Sequence, residues 1–246
     1  MSSKDKVAVV TGGLGGIGTA ICRRLAQEGA KVVAAFHPAE ADKADAWVET
    51  QGGDIDVASG DVSDAQDAAR MMNEIQEKYG QVDIVVNCAG ITRDTTLKKM
   101  TTEQWDAVID TNLSSVFYVT QPVWNGMIER GFGRVVNIAS INGQRGQFGQ
   151  TNYSAAKAGM HGFTMALAQE GAAKGVTVNT VSPGYVETAM TAAMRDDVRD
   201  AIVSGIPMRR MGMPEEIAHT VAFLTDDDCT YITGANIPVN GGLFIH

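Results

Sequence analysis

Cysteine is scarce in this chain of 246 residues: Cys22, Cys88 and Cys229 are odd in number and far apart. That argues against a disulfide framework and predicts three reduced, mostly buried thiols. No Cys-x-x-Cys pair and no histidine pair stands at metal-ligand spacing, so no metal site is expected. His37, His161, His219 and His246 read as structural or surface residues. Clustered Lys and Arg are also missing, and the formal net charge is −9. Binding to a phosphate backbone needs such clusters, so neither nucleic acid nor an anionic membrane is an expected partner. No apolar stretch approaches the ~18 residues of a membrane span. The apolar run Val7–Val10 is too short for a signal segment, and a cytosolic location is expected. Linkers, low-complexity tracts and internal repeats are absent too, which leaves one domain over 1–246 as the simplest organisation.

What is present is an ordinary globular balance, 44% hydrophobic and 20% charged, which argues against intrinsic disorder. Short β-branched runs alternate with longer amphipathic segments. Strands are expected at Lys6–Thr11, Lys31–Phe36, Asp54–Val57, Val82–Asn87, Gly133–Ile138, Val176–Val181 and Asn236–Val239. Several are almost continuously apolar, as strands buried on both faces are. Helices are expected at Ile17–Glu28, Ala39–Thr50, Asp64–Tyr79, Thr102–Arg130, Tyr153–Lys174 and Pro214–Leu224. This β-α-β-α order predicts an α/β fold, a doubly wound Rossmann-type domain with a seven-stranded parallel sheet. Thr101 with Gln104 reads as a capping box, and Gly29 and Gly80 as helix C-caps. Pro122 predicts a kink or local break in the long fourth helix. Trp47, Trp105 and Trp124 read as packing residues, and Asp226-Asp227-Asp228 as a solvated loop.

The first strand runs into Thr11-Gly12-Gly13-Leu14-Gly15-Gly16-Ile17-Gly18, and a helix follows at once. Glycine there permits a tight turn and lets backbone N–H groups approach a pyrophosphate at a helix N-terminus. Gly12, Gly13, Leu14, Gly16, Ile17 and Gly18 are the candidate contacts. Tyr153 and Lys157 are four apart on an expected helix and so share a face. Ketone reduction needs an acid that protonates the developing alkoxide. A phenol with an ordinary pKa of ~10 can serve near neutrality if a neighbouring ammonium lowers it. Lys157 is expected to do so. Ser140, at the end of the fifth strand, can donate to a carbonyl oxygen.

The Thr-Gly-x-x-x-Gly-Ile-Gly spacing resembles the short-chain dehydrogenase/reductase family, and the likeness extends over almost the whole chain. Asn87-Cys88-Ala89-Gly90 resembles the family's Asn-Asn-Ala-Gly, with a departure at Cys88. Gly60-Asp61-Val62 resembles the segment that contacts the adenine ring. Asn112, Ser140, Tyr153 and Lys157 match the family's catalytic four, and Pro183-Gly184, Val186 and Thr188 its nicotinamide-side loop. The resemblance implies that Lys157 also holds the nicotinamide ribose, and that Asn112 holds a water continuing a proton relay. It implies a homotetramer too, packed through the long helices and the apolar C-terminal strand and tail.

The stretches Gln147–Ser154, Gly90–Asp94 and Ser182–Tyr185 are similar to the family's acetoacetyl-CoA reductases, which make (R)-3-hydroxybutyryl-CoA. Acetoacetyl-CoA or a similar short 3-oxoacyl-CoA is the implied substrate. Asp94, Ser140, Gln147 and Gln150 are the candidate polar contacts, and Phe148 and Tyr185 the apolar walls. Arg195 is a candidate partner for a coenzyme A phosphate, in a small lid over 187–213 rich in methionine (Met190, Met194, Met208, Met211, Met213). The alternative substrate is a 3-oxoacyl group on acyl-carrier protein, which would need a basic docking surface. Arg130 and Arg134 are the candidates for it, beside Glu129 in an acidic chain.

Cofactor choice turns on the segment after the second strand, Phe36-His37-Pro38-Ala39-Glu40-Ala41-Asp42. It has no Arg or Lys to neutralise the 2′-phosphate of NADPH, and Glu40 would repel one. No acid occupies Phe36, where a ribose-binding carboxylate is expected, so Glu40 is the candidate to reach the ribose, with His37 as a weak phosphate contact. NADH is expected to be preferred, with NADPH as the alternative.

Overall fold

The computed structural model describes residues 3–52, 55–192 and 194–245, and of Met190 the backbone only. Asp54, His246 and the Met190 side chain therefore lie outside the described residues. Seven strands form one sheet: β1 Val7–Thr11, β2 Lys31–Phe36, β3 Ile55–Ser59, β4 Ile84–Asn87, β5 Gly133–Ile138, β6 Val176–Pro183 and β7 Asn236–Val239. Their order is β3-β2-β1-β4-β5-β6-β7, and every pairing is parallel. The chain winds outward from β1 to β3, returns to β4 beside β1, and winds outward again. The strand order thus reverses between β1 and β4, where ligands meet open α/β sheets.

Alternation along each strand divides the core in two. Ala8 and Val10 of β1 face one side with Val32, Ala34, Ile84 and Val86, and α1 (Gly16–Gln27) and α10 (Pro214–Thr225) cover them with Ile21, Leu25, Ile217 and Val221. Val7 and Val9 face the other side with Val33, Val85 and Val135, under Met71, Met72 and Ile75 of α3 (Ala65–Tyr79) and Val119, Val123 and Met127 of α5 (Ser115–Arg130). Both faces are apolar because both are covered, which is why these strands read as continuous hydrophobic runs.

The expected helix Thr102–Arg130 is two helices, α4 (Thr102–Ile109) and α5, joined by a π-helical turn at Asp110–Ser114. The irregularity lies there and not at Pro122, which sits inside α5. Within the turn, the Asn112 amide donates to the Ile91 carbonyl and accepts from the Ile91 N–H, both at 2.8 Å. A tertiary bond, invisible in the local pattern, thus accompanies the departure from α-geometry. The capping box at Thr101 and Gln104 is present, and Gly80 ends α3 in the left-handed region. Helices α2 (Ala41–Gln51), α6 (Ile141–Arg145), α7 (Thr151–Gly171), α8 (Ala189–Ala192) and α9 (Asp196–Gly205) are the other α-helices among the described residues. The periodic pattern did not call for α6, α8 or α9, all short and placed in segments read as loop and lid.

Cys22 and Cys229 are buried, Cys88 is half-buried, and all three are free thiols. Asp226 is buried rather than solvated, in a loop whose carbonyls receive the buried Arg134 guanidinium. Among the described residues, no helix is long and apolar enough to cross a membrane.

Candidate active site

A cleft of about 940 Å³ opens along the C-terminal ends of the strands, on both sides of the reversal point. Thr11, the last residue of β1, accepts hydrogen bonds at its hydroxyl from Cys88 N–H (3.0 Å) and Ala89 N–H (3.1 Å), which ties the ends of β1 and β4 together. The glycine-rich turn closes tightly over this joint. Gly12 has φ +63°, and a Cβ on it would lie 2.9 Å from the Ala89 Cα. A Cβ on Gly18 would lie 2.1 Å from the Gly12 carbonyl oxygen, so only glycine lets α1 start this close to the turn.

Gly12, Gly15, Gly16, Ile17 and Gly18 line the cleft. Gly13 and Leu14 do not. Gly13 is pressed against Ala34, and Leu14 packs on the core. The turn, the N-terminus of α1 and the length of the cleft fit a dinucleotide whose pyrophosphate meets backbone N–H groups.

One end of the cleft is walled by Phe36, His37, Glu40, Gly60, Asp61 and Val62. His37 accepts from Ala39 N–H at Nδ1 (3.1 Å) and turns Nε2 toward Asp61, 3.5 Å away. Burial raises the Asp61 pKa, but hydrogen bonds from the Ser63 hydroxyl and N–H and the charge of His37 outweigh it and hold the group below the usual range. Among the described residues lining the cleft, the Lys and Arg are Lys157 and Arg93, and neither belongs to this wall.

The other end holds Ser140, Tyr153 and Lys157. Ser140 caps α6 by accepting from Asn142 N–H at 3.1 Å, and it lines the cleft together with Tyr153. Lys157 is buried one turn further along α7, its ammonium 5.7 Å from the centre of the Tyr153 ring. That ammonium donates to the Ile138 carbonyl at 2.7 Å. Burial pushes the Lys157 pKa down to about 8, against a smaller opposing pull from Cys88. Burial likewise pushes the half-buried Cys88 thiol up to about 11, against the charge of Lys157.

The Tyr153 pKa does not fall as the sequence reading expected. It is raised, because desolvation exceeds the lowering by the neighbouring Ser140 hydroxyl, and the Asp94 charge adds to the rise. The resting phenol is therefore a protonated acid, beside Ser140 in a site that also holds a cation. That is the arrangement required to polarise a carbonyl and deliver a proton to its oxygen.

Asn112 lies outside the lining; its amide donates to the Ile91 carbonyl and accepts from the Ile91 N–H. Asn87 is also buried away from the cleft, donating to Asn137 (2.8 Å) and Thr120 (3.2 Å). Cys88, Ala89, Gly90, Pro183, Gly184 and Val186 do line it.

Of the substrate candidates, Asp94, Gln150 and Tyr185 join Ser140 in the cleft. Gln147, Phe148 and Arg195 do not. Phe148 is 88% exposed on the loop between α6 and α7, and Gln147 is exposed beside it. Arg195 lies at the N-terminus of α9 with its guanidinium 2.9 Å from Asp197, a local pairing that a local sequence reading did not weigh. The cleft also includes Arg93, Asn142 and Thr191, which were not singled out in the sequence, and Met194 of the expected lid. Only Asn142 carried a signal, a short amide two residues after Ser140.

A family model described as enoyl-(acyl carrier protein) reductase matches residues 12–244. An acetoacetyl-CoA reductase of Allochromatium vinosum is 66% identical over 98% of this chain and 99% of its own length. Another from Cupriavidus necator is 55% identical over 97% and 98%. The 3-oxoacyl-(acyl-carrier-protein) reductase of Escherichia coli is 43% identical over the whole of both chains. With these matches over a parallel sheet, a glycine-rich turn and a Ser-Tyr-Lys cluster, the chain belongs to the short-chain dehydrogenase/reductase family of nicotinamide-dependent oxidoreductases.

Proposed function

We propose that this protein reduces acetoacetyl-CoA to (R)-3-hydroxybutyryl-CoA, a step of polyhydroxybutyrate synthesis, in the cytosol. The observation that carries the reading is the cluster of Ser140, Tyr153 and Lys157 in the same cleft as the glycine-rich turn. The 66% and 55% identical acetoacetyl-CoA reductases favour the coenzyme A thioester over the carrier-protein substrate of the 43% identical relative. The two arginines named as candidates for docking an acidic carrier protein are also engaged elsewhere. Arg134 is buried, and Arg130 donates to the Val82 carbonyl at 2.6 Å with Asp83 3.6 Å away.

The cofactor-holding groups are the backbone of Gly12, Gly15, Gly16 and Ile17, the walls at Phe36 and Val62, and the segments Cys88–Gly90 and Pro183–Val186. When bound, the nicotinamide supplies the hydride. Ser140 donates to the substrate carbonyl oxygen, and Tyr153 passes its proton to the developing alkoxide. Lys157 holds the ribose and, through its charge, stabilises the phenolate left behind. Asn112 positions Ile91 and so the floor of the site. The segment 187–213, with α8 and α9, forms a lid on the single domain.

We further infer that NADH is preferred, because a 2′-phosphate beside Glu40 and Asp61 would meet carboxylates rather than Lys or Arg. Four chains are proposed to assemble through α4, α5 and α7, where Trp105, Phe117 and Met165 are exposed, and through the half-buried β7 edge. The reading is tested by following nicotinamide absorbance with acetoacetyl-CoA and with the matching carrier-protein substrate. Preference for the carrier-protein substrate would reverse the assignment. A tenfold higher kcat/KM for NADPH, about 1.4 kcal/mol, would refute the cofactor inference. A stable monomer at micromolar concentration by light scattering would refute the assembly.

A further inference from the structure

Asp94, Asn142 and Gln150 come from three separate segments, the loop after β4, helix α6 and the residue preceding α7, and meet in the wall of the cleft. The Asn142 Nδ2 donates to Gln150 Oε1 at 2.9 Å, and the Gln150 Nε2 donates to Asp94 Oδ2 at 2.7 Å. A carboxylate only accepts, whereas each amide has one donating and one accepting end. The direction of both bonds therefore follows from Asp94. Gln150 must turn its NH₂ to the carboxylate and its carbonyl to Asn142, so Asn142 must turn its own NH₂ to Gln150.

This orientation leaves the Asn142 Oδ1 buried without a hydrogen-bond partner. An orphaned buried acceptor detracts from stability, so its presence calls for a reason outside stability. The residue is also held in place. Its backbone N–H is on the Ser140 hydroxyl oxygen at 3.1 Å, and a Cβ on the next residue, Gly143, would lie 2.7 Å from the Lys157 carbonyl carbon. Helix α6 is thus wedged against α7, and Asn142 cannot retreat from the wall to satisfy its carbonyl.

We propose that Asn142 is a positioning residue for the thioester substrate, holding Gln150 and, through it, the Asp94 carboxylate in an oriented chain that fixes the carboxylate as a hydrogen-bond acceptor in the wall. Gln150 is the strut between them, its carbonyl taken by Asn142 and one of its two amide N–H groups by Asp94. The oriented Asp94 carboxylate takes a ligand that brings an N–H donor, such as an amide N–H in the chain beyond the thioester. This inference rests on the acetoacetyl-CoA reading above.

The test is Asn142→Leu, with the same branching at Cγ, which removes the donor and the orphaned acceptor together and keeps the backbone N–H on Ser140. The expected result is a KM for acetoacetyl-CoA raised roughly fivefold or more, the size of one lost hydrogen bond. The KM for the nicotinamide cofactor should stay within about twofold, and the Tm should be unchanged or higher. In a Gln150→Ala background the same change should add less than about twofold, because the chain is already broken. The proposal is overturned by an unchanged acetoacetyl-CoA KM, by an equal rise in the cofactor KM, by a lowered Tm, or by effects that multiply in the double variant. Wild-type protein is the control. Turnover of acetoacetyl-CoA by wild type with an unmoved KM in the variant sinks this inference alone, while no wild-type turnover sinks the substrate reading and this inference with it.

Discussion

Replacing Lys157 by methionine should abolish useful turnover while removing a pH-dependent burden on the fold. Burial lowers the Lys157 pKa from 10.5 to about 8, which corresponds to about 3 kcal/mol. The sign follows from proton counting. Below pH ~8 the lysine is charged in both folded and unfolded states, and the folded state bears the full penalty of a buried ammonium. Between ~8 and ~10.5 the unfolded state binds more protons, so wild-type stability rises with pH relative to a variant that cannot titrate there. Above ~10.5 the penalty is gone. Methionine also leaves the Ile138 carbonyl without its 2.7 Å donor, which costs ~1–3 kcal/mol but does not depend on pH. The informative quantity is therefore how the stability difference between variant and wild type changes with pH. Urea unfolding of both proteins from pH ~7 to ~10.5, with equal m-values, should show that difference moving by about 3 kcal/mol in favour of wild type. In thermal scans this is roughly 6–12 °C for a chain of this size. Parallel stability curves would refute the reasoning, and so would a difference moving the other way.

Tyr153→Phe should lose nearly all turnover, since it removes the proton donor, while cofactor affinity stays close to wild type by fluorescence titration; substantial residual activity would name a different acid. Gly18→Ala should weaken cofactor binding about tenfold or more, because a Cβ placed 2.1 Å from the Gly12 carbonyl must push the turn off α1, and such overpacking costs typically ~1–3 kcal/mol. Unchanged calorimetric affinity would show that the turn yields without loss. Arg195→Ala should leave the acetoacetyl-CoA KM within about twofold, since its guanidinium is an exposed partner of Asp197 and such pairs contribute little; a large rise would return it to the substrate site.

The order of strands and helices, the parallel sheet and the glycine-rich turn were legible in the sequence because each rests on local periodicity or a local conformational demand. A strand covered on both faces has to be apolar along its covered stretch, as Val7–Val10 of β1 are, and a turn that brings α1 against Gly12 has to carry glycine at residue 18. The four-residue spacing that brings Tyr153 and Lys157 to one face was readable for the same reason. What the sequence could not show was direction and competition. Whether Lys157 or desolvation governs the Tyr153 phenol depends on how tightly the site is packed, and packing raises its pKa. The π-helical turn at Asn112 accompanies hydrogen bonds to Ile91, 21 residues earlier. Arg195, Gln147 and Phe148 looked like substrate contacts by position, yet the first is held by a near neighbour and the other two point into solvent at the surface of a loop. The chain from Asn142 to Asp94 joins residues 48 apart in sequence, and its polarity follows from which amide end meets a carboxylate, a choice made only when three separate segments fold together.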